Sequence, residues 1–182
     1  MEWLDELRAA MEAEKLTGRL IGTLATVDAG GLPRARSVVC RRVDEKGAVW
    51  VASDSRSGKN EQLRQNPHAE LVVWLPTPRL QFRVQGEVRV IDAKAGGDER
   101  AKLWREVSDT ARALFFWPAP GAPRAEGDAY PPTVPADAMV PDTFEVLVLS
   151  PDQVGRLNLK PQPHVRRRWR RRDDWRGVDV NP

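Results

Sequence analysis

Arg36-Ser37-Val38-Val39-Cys40-Arg41-Arg42-Val43-Asp44, followed by Val49-Trp50-Val51-Ala52 and then Asp54-Ser55-Arg56-Ser57-Gly58-Lys59-Asn60, is the stretch whose reading decides the fold. The first two pieces are β-forming runs separated by an Asp44-Glu45-Lys46-Gly47 turn. The third leads through small and polar residues into a helix with Gly58 and Lys59 in its first turn. The first N–H groups of a helix have no internal partners, and the helix dipole adds positive potential there. A phosphate can sit on Ser57, Gly58 and Lys59, with Lys59 as counter-charge. Arg36 and Arg41 can add charge-assisted hydrogen bonds. They are five apart, so on a regular strand they face opposite ways. Either a bulge brings both to one ligand, or one of them serves an interface. The stretch therefore reads as a phosphate-ended ligand site on a β-rich scaffold.

Working outward, the helix from Ser57 to Gln65 has one strong apolar position, Leu63, and is stopped by Asn66-Pro67. A helix this polar adds little to a core, which favours a role for its N-terminus. His68 follows as a surface residue, and a strand is expected over Ala69–Trp74. From Arg79 to Val90 the alternation is clean, with Leu80, Phe82, Val84, Gly86 and Val88 on one face and Gln81, Arg83, Gln85, Glu87 and Arg89 on the other. Upstream, Arg19–Val27, the Asp28-Ala29-Gly30-Gly31 turn and Leu32–Val43 form a hairpin signal. Successive antiparallel strands with short turns suggest a meander that closes into a barrel. Before them, Trp3, Leu4, Leu7, Met11 and Leu16 recur at helical spacing, with Gly18 to end the helix.

Downstream, Asp98–Val107 and Ser108–Phe116 read as two helices, with Ser108 as N-cap of the second. Trp117–Asp142 carries seven prolines and two glycines without periodicity, and a loop of that length in a compact domain is functional or disordered. Strands are expected at Thr143–Leu149 and Gln153–Leu159, joined by a turn at Ser150-Pro151-Asp152. Two more are expected around Val165–Arg171 and Trp175–Val180. The expectation is one mainly-β domain over residues 1–182 with peripheral helices: an N-terminal helix at 1–17, a Pro-rich loop at 117–142 and C-terminal strands at 143–182.

Composition narrows the class. At 182 residues with 41% hydrophobic and 30% charged residues, the chain can bury a core without staples. Its one cysteine, Cys40, excludes an intrachain disulfide and reads as a small buried hydrophobe. No apolar run reaches the roughly 20 residues of a membrane span, and Met1–Lys15 carries five acidic residues instead of a signal-peptide core. The expectation is a cytoplasmic protein without membrane contact. Net charge is +3, but His164–Pro182 holds seven arginines and three aspartates, so the basic character belongs to the tail. The run Arg166-Arg167-Arg168-Trp169-Arg170-Arg171-Arg172 invites a single-strand nucleic-acid reading. Asp173 and Asp174 follow at once, however, and the run sits where a strand is due, so nucleic acid is not the expected partner. One of its two faces is expected to pair with the acidic N-terminal helix or to contact a ligand.

Taken in order, Arg-Ser-Val-Val-Cys-Arg-Arg-Val-Asp-Glu-Lys-Gly at 36–47, Trp-Val-Ala-Ser-Asp-Ser-Arg-Ser-Gly-Lys at 50–59, Gln-Leu, Asn-Pro, Trp-Leu-Pro and Arg-Leu-Gln-Phe-Arg-Val-Gln-Gly at 79–86 resemble pyridoxamine 5′-phosphate oxidase and its relatives. These are FMN-binding split β-barrels, which implies a six- to eight-stranded antiparallel barrel here. The resemblance covers Arg36 to about Val90 well and the C-terminal strands loosely. It implies FMN as cofactor and a homodimer with the flavin at its interface, contacted from both subunits. It further implies flavin and phosphate contacts along Arg36, Ser37, Val38, Val39 and Arg41, and ring contacts at Val51, Ala52 and Gln81. Ser57, Gly58 and Lys59 stand where the family has Ser-Arg-Lys. The phosphate-binding arginine is thus missing, and Arg56 is its candidate substitute.

The C-terminal part departs from the oxidase's Arg-Leu-His-Asp-Arg signature. Gln162 stands at the substrate-gripping arginine, while His164 and Arg166 match, as a candidate substrate contact and a flavin contact. The family's flavin-stacking tryptophan is Arg156 or Leu157 here. The pattern resembles oxidase-like relatives of unassigned substrate. It implies an FMN-dependent oxidoreductase acting on a small molecule; the alternatives are a flavin carrier without turnover and a basic-tailed nucleic-acid-binding barrel. No carboxylate pair or Ser–His pair marks an acid–base catalyst, and no metal-ligand cluster stands out.

Overall fold

The structure is a computed structural model and describes residues 1–14, 20–95, 98–134 and 138–182. Eight strands form one antiparallel sheet: β1 (Leu20–Val27), β2 (Pro33–Val43), β3 (Val49–Asp54), β4 (His68–Leu75), β5 (Leu80–Ile91), β6 (Phe144–Asn158), β7 (Val165–Arg170) and β8 (Val178–Val180). Their order is β3-β2-β1-β4-β5-β6-β7-β8, and β3 pairs again with β6. That pairing closes a six-stranded barrel and leaves β7 and β8 as a flap on β6. Closure removes the exposed edges that an open meander would present.

Period-two burial builds the barrel interior. Leu20, Gly22, Leu24 and Thr26 of β1 point inward, as do Val38 and Cys40 of β2 and Phe82, Val84, Gly86 and Val88 of β5. Burial pushes the Cys40 thiol up to about 12, which keeps it protonated and inert. Helix α1 (Glu2–Ala13) is fixed by Trp3, Leu4 and Leu7, all buried in the barrel's core cluster. Trp3 lies over the Asp44–Gly47 turn, where a Cβ on Gly47 would come within 2.3 Å of its ring, and Gly47 also has φ +80°. The expected helix end at Leu16 and Gly18, and the strand start at Arg19, lie outside the described residues.

One expectation about the strands fails. Thr143–Leu149 and Gln153–Leu159 are not two strands joined by a turn but the single 15-residue strand β6. Ser150-Pro151-Asp152 is a bulge: Gly86 faces Pro151 while the adjacent Gln85 faces Gln153, leaving Asp152 over. Proline is tolerated in a strand at such a bulge. Gly86 is needed there, because a Cβ would lie 1.9 Å from the Ser150 carbonyl oxygen. The first half of β6 pairs with β3 and β5, and the second half with β5 and β7.

A second core lies outside the barrel wall. Helices α3 (Glu99–Glu106) and α4 (Asp109–Ala113), with a 3₁₀ turn at Leu114–Phe116, pack Leu103, Trp104 and Phe115 onto Trp50, Phe144, Val146 and Val148. Phe144 through Leu149 is therefore buried on both faces, which explains its unbroken run of buried residues. Ser108 sits at the α4 cap with extended backbone but makes no side-chain capping bond.

The tail belongs to the fold. Trp169 is fully buried and donates its Nε1–H to Glu2 at 2.9 Å. Arg167 pairs with Glu2 at 3.2 Å, and Arg156 with Glu6 at 2.6 Å. Arg167 and Trp169, on one face of the arginine run, thus meet the acidic N-terminal helix, while Arg171 on the same face donates to the Pro151 carbonyl. Among the described residues, no helix is long and apolar enough to cross a membrane.

Candidate functional site

Outward-facing residues of β2 and β3 form the floor of a cleft of about 440 Å³. Ser37, Val39 and Arg41 alternate with the inward Val38 and Cys40, and Ala52 and Asp54 continue the floor on β3. The β2–β3 register slips between Cys40 and Arg42, which leaves Arg41 over in a bulge on the cleft face. Lys59 closes one end, from the first turn of α2 (Gly58–Gln65). The opposite wall comes from the second core: Ala111, Leu114 and Phe115, then Trp117, Pro118 and Pro120 from the start of the Pro-rich loop. That loop is anchored where it meets the cleft, because Trp117 donates to the Pro131 carbonyl at 2.8 Å and packs edge-on against Tyr130 at 5.4 Å.

The helix that carries Lys59 is held from beneath. Asn60 is fully buried, accepts from Ser53 Oγ at 2.5 Å and from Ser57 Oγ at 3.1 Å, and donates to the buried carboxylate of Glu145. Glu145 also takes Arg64 from the last turn of α2. The helix is therefore anchored at two points, Leu63 and Asn60, where the sequence suggested one. Lys59 Nζ donates to Ser57 Oγ at 2.7 Å. Burial, and next the charge of Arg36, hold the Lys59 ammonium below the usual lysine range; Asp54 and Glu145 oppose them. A cation placed in that environment gains from an incoming anion.

The expected residues separate into three groups. Ser37, Val38, Val39, Arg41, Ala52 and Lys59 line the cleft. Arg36, Val51, Arg56 and Ser57 are close in sequence but are not among its lining. Arg36, on the inward parity of β2, donates to the Leu24 carbonyl at 3.0 Å, Thr26 Oγ1 at 2.7 Å and Gln62 Oε1 at 2.9 Å, tying β1 to α2. Val51 is buried in the barrel core. Arg56 grips the Asp54 carboxylate through Nε at 2.9 Å and Nη2 at 2.6 Å, which neutralises the one acid on the cleft floor. Ser57 is the N-cap residue and carries the contacts to Lys59 and Asn60.

The third group lies elsewhere on the barrel. Gln81 and Arg166 share a small hollow with Arg83, Arg156, Leu157 and Pro182. His164 Nδ1 lies 3.1 Å from the Pro161 carbonyl oxygen. The sequence reading missed the cleft's far wall and the Asn60–Glu145 support. The wall's only signal was the proline-rich composition after Trp117.

Residues 1–92 match the family described as pyridoxamine 5′-phosphate oxidase, FMN-binding domain. The pyridoxine/pyridoxamine 5′-phosphate oxidase 2 of Arabidopsis thaliana is 31% identical over 166 residues, covering 87% of this chain and 83% of that protein. The pyridoxine/pyridoxamine 5′-phosphate oxidase of Chromohalobacter salexigens is 43% identical over 72 residues, but the match spans only 40% of this chain and 33% of the relative. A crystal structure of a pyridoxamine 5′-phosphate oxidase-related, FMN-binding protein from Nostoc punctiforme superimposes with a TM-score of 0.90 at 31% identity, covering 100% of this chain and 98% of that one. With the closed six-stranded barrel, its two-strand flap and the outward cleft on β2 and β3, these likenesses lead to one conclusion: the chain belongs to the pyridoxamine 5′-phosphate oxidase family of FMN-binding split barrels.

Proposed function

We propose that this protein binds FMN in the β2–β3 cleft as a homodimer and works as a flavin-dependent oxidoreductase. The observation that carries the reading is Lys59: a half-buried ammonium at the N-terminus of a braced helix, opening on a cleft that also holds Ser37 and Arg41. Two cations, a hydroxyl and free helix N–H groups suit a phosphate monoester. Val39 and Ala52 give a flat, weakly polar floor on which a ring system can lie. These residues fit the 5′-phosphate and ring of FMN, and fit a cofactor without a phosphate less well. When bound, FMN supplies hydride transfer at its ring, while the protein supplies orientation and electrostatics.

The dimer is supported by where Gln81 and Arg166 stand. Val39 at the cleft pairs with Ile21, and Trp74 pairs with Gln81, which pairs with Leu157, which pairs with Arg166. Thr23 pairs with Val72, so Ile21 and Trp74, two residues further along each strand, share the same outer face. Both are large and exposed, at 64% and 46%. An exposed apolar band joining the cleft to the Gln81 hollow fits a second copy of the chain. Across a two-fold axis there, each copy's Gln81 and Arg166 would reach toward the other's cleft.

The test is purification followed by release of the bound chromophore on denaturation, with the molar mass measured by light scattering. A yellow protein with FMN close to one per chain and the mass of two chains is the expected result. A colourless monomer that takes up no added FMN overturns the reading.

A further inference from the structure

We propose that the cleft's second occupant, its substrate, is a planar, apolar, unphosphorylated ring compound stacked on the shelf formed by Trp117 and Pro118. The proposal rests on the FMN reading above. A ring laid on the β2–β3 floor turns its other face toward Leu114, Trp117, Pro118 and Pro120, and a molecule that reacts with it must enter between them.

That wall offers nothing for a second phosphate. Pro118 and Pro120 have no backbone N–H to donate. Arg112, the cation of the adjoining helix, already donates to the Trp104 carbonyl at 2.8 Å, the Arg105 carbonyl at 3.0 Å and Asp109 at 3.1 Å. Among the described residues lining the cleft, the cations are Arg41 and Lys59, both on the floor side. On this wall a phosphate would desolvate its charge against leucine, tryptophan and proline, and no side chain of the wall repays that cost.

The wall is instead suited to stacking. The indole of Trp117 is fixed in orientation by its bond to the Pro131 carbonyl and its edge contact with Tyr130. Leu114, in the 3₁₀ turn after α4, is 44% exposed, a large apolar side chain left open to solvent. An aromatic face held rigid costs little entropy to bind against.

The experiment uses FMN-loaded protein as wild type, Trp117→Ala and Trp117→Phe, titrated separately with 2-methyl-1,4-naphthoquinone and with pyridoxamine 5′-phosphate. Binding is read from the visible spectrum of the bound flavin and from calorimetry. The naphthoquinone is expected to saturate, to weaken about tenfold or more in Trp117→Ala, and to be largely retained in Trp117→Phe. Pyridoxamine 5′-phosphate is expected to give no saturable change below millimolar concentration. Saturation by the phosphate ester at micromolar concentration, exclusion of the naphthoquinone, or naphthoquinone binding indifferent to Trp117→Ala overturns the proposal while the FMN reading stands. Loss of FMN itself from Trp117→Ala shows that the shelf holds the cofactor, and also overturns it. Wild-type protein that takes up no FMN overturns both.

Discussion

Lys59 Nζ lies 2.7 Å from Ser57 Oγ, and Ser57 in turn donates to Asn60, the buried residue that ties the helix to Glu145. The cation at the mouth of the cleft is thus connected through two side chains to a carboxylate in the protein interior. The position of the ammonium and its readiness to meet an anion are set by separate parts of the molecule.

The first expectation concerns pH. Burial and the Arg36 charge hold the Lys59 pKa below the usual lysine value, so the ammonium is lost earlier as pH rises. FMN affinity should fall through that lowered pKa, before ordinary lysines titrate. Riboflavin affinity should stay flat over the same range, as should FMN affinity in Lys59→Arg. Lys59's own contribution to the stability of the ligand-free protein should move the opposite way. There the unfolded chain holds more protons than the folded one, so stability rises with pH. Titrations of both ligands from neutral to alkaline pH, with denaturation of wild type and Lys59→Gln alongside, check the two signs.

Glu145→Ala should reach the site from a distance. It removes the acceptor of buried Asn60 and the partner of Arg64. Arg64 can turn to water, so the expected loss is about 2–3 kcal/mol, below the figure for a fully buried pair. FMN affinity should drop as well, because the α2 N-terminus loses its brace. Urea denaturation and an FMN titration check both; unchanged stability would show that the helix is held by Leu63 alone.

The outer band gives a third expectation. Ile21→Asp alters a mostly exposed side chain, so monomer stability should change by no more than about 1 kcal/mol, while Trp74→Asp, at a half-covered indole, should cost more. A charge in the middle of an apolar interface should nevertheless shift the protein toward monomer and weaken flavin retention together. Light scattering against concentration, with flavin content in each fraction, measures this. A monomeric variant that keeps its flavin in full would separate the cofactor site from the dimer.

The barrel was legible because its signal is periodic: the alternation from Leu80 to Val88 is what a strand with one face in a core must show. β6 was misread because Pro151 and Asp152 look like a turn, and only the opposing Gly86 reveals a bulge. The cleft floor could be read from Arg36 to Lys59, since turn, strand and helix start are local features. That Arg41 enters the cleft while Arg36 turns to Thr26 and Gln62 could not, because strand parity says they part but not which way each goes. Asn60 was invisible for a related reason. A polar residue on a polar helix reads as solvated until Glu145, 85 positions away, is brought beneath it. The far wall is made of alanine, leucine, phenylalanine, tryptophan and proline, residues with no chemical motif to announce them.

The most direct test of the phosphate site is a pair of titrations, FMN and riboflavin, on wild type and Lys59→Ala at one salt concentration. A charge-assisted hydrogen bond is worth about 1.5–3 kcal/mol net, roughly 10- to 150-fold in dissociation constant. Lys59→Ala should lose FMN affinity by that factor and leave riboflavin affinity nearly unchanged, since riboflavin carries no phosphate. Equal losses for the two ligands, or no loss for either, would mean that Lys59 does not meet the phosphate, and the assignment of the cleft would be wrong.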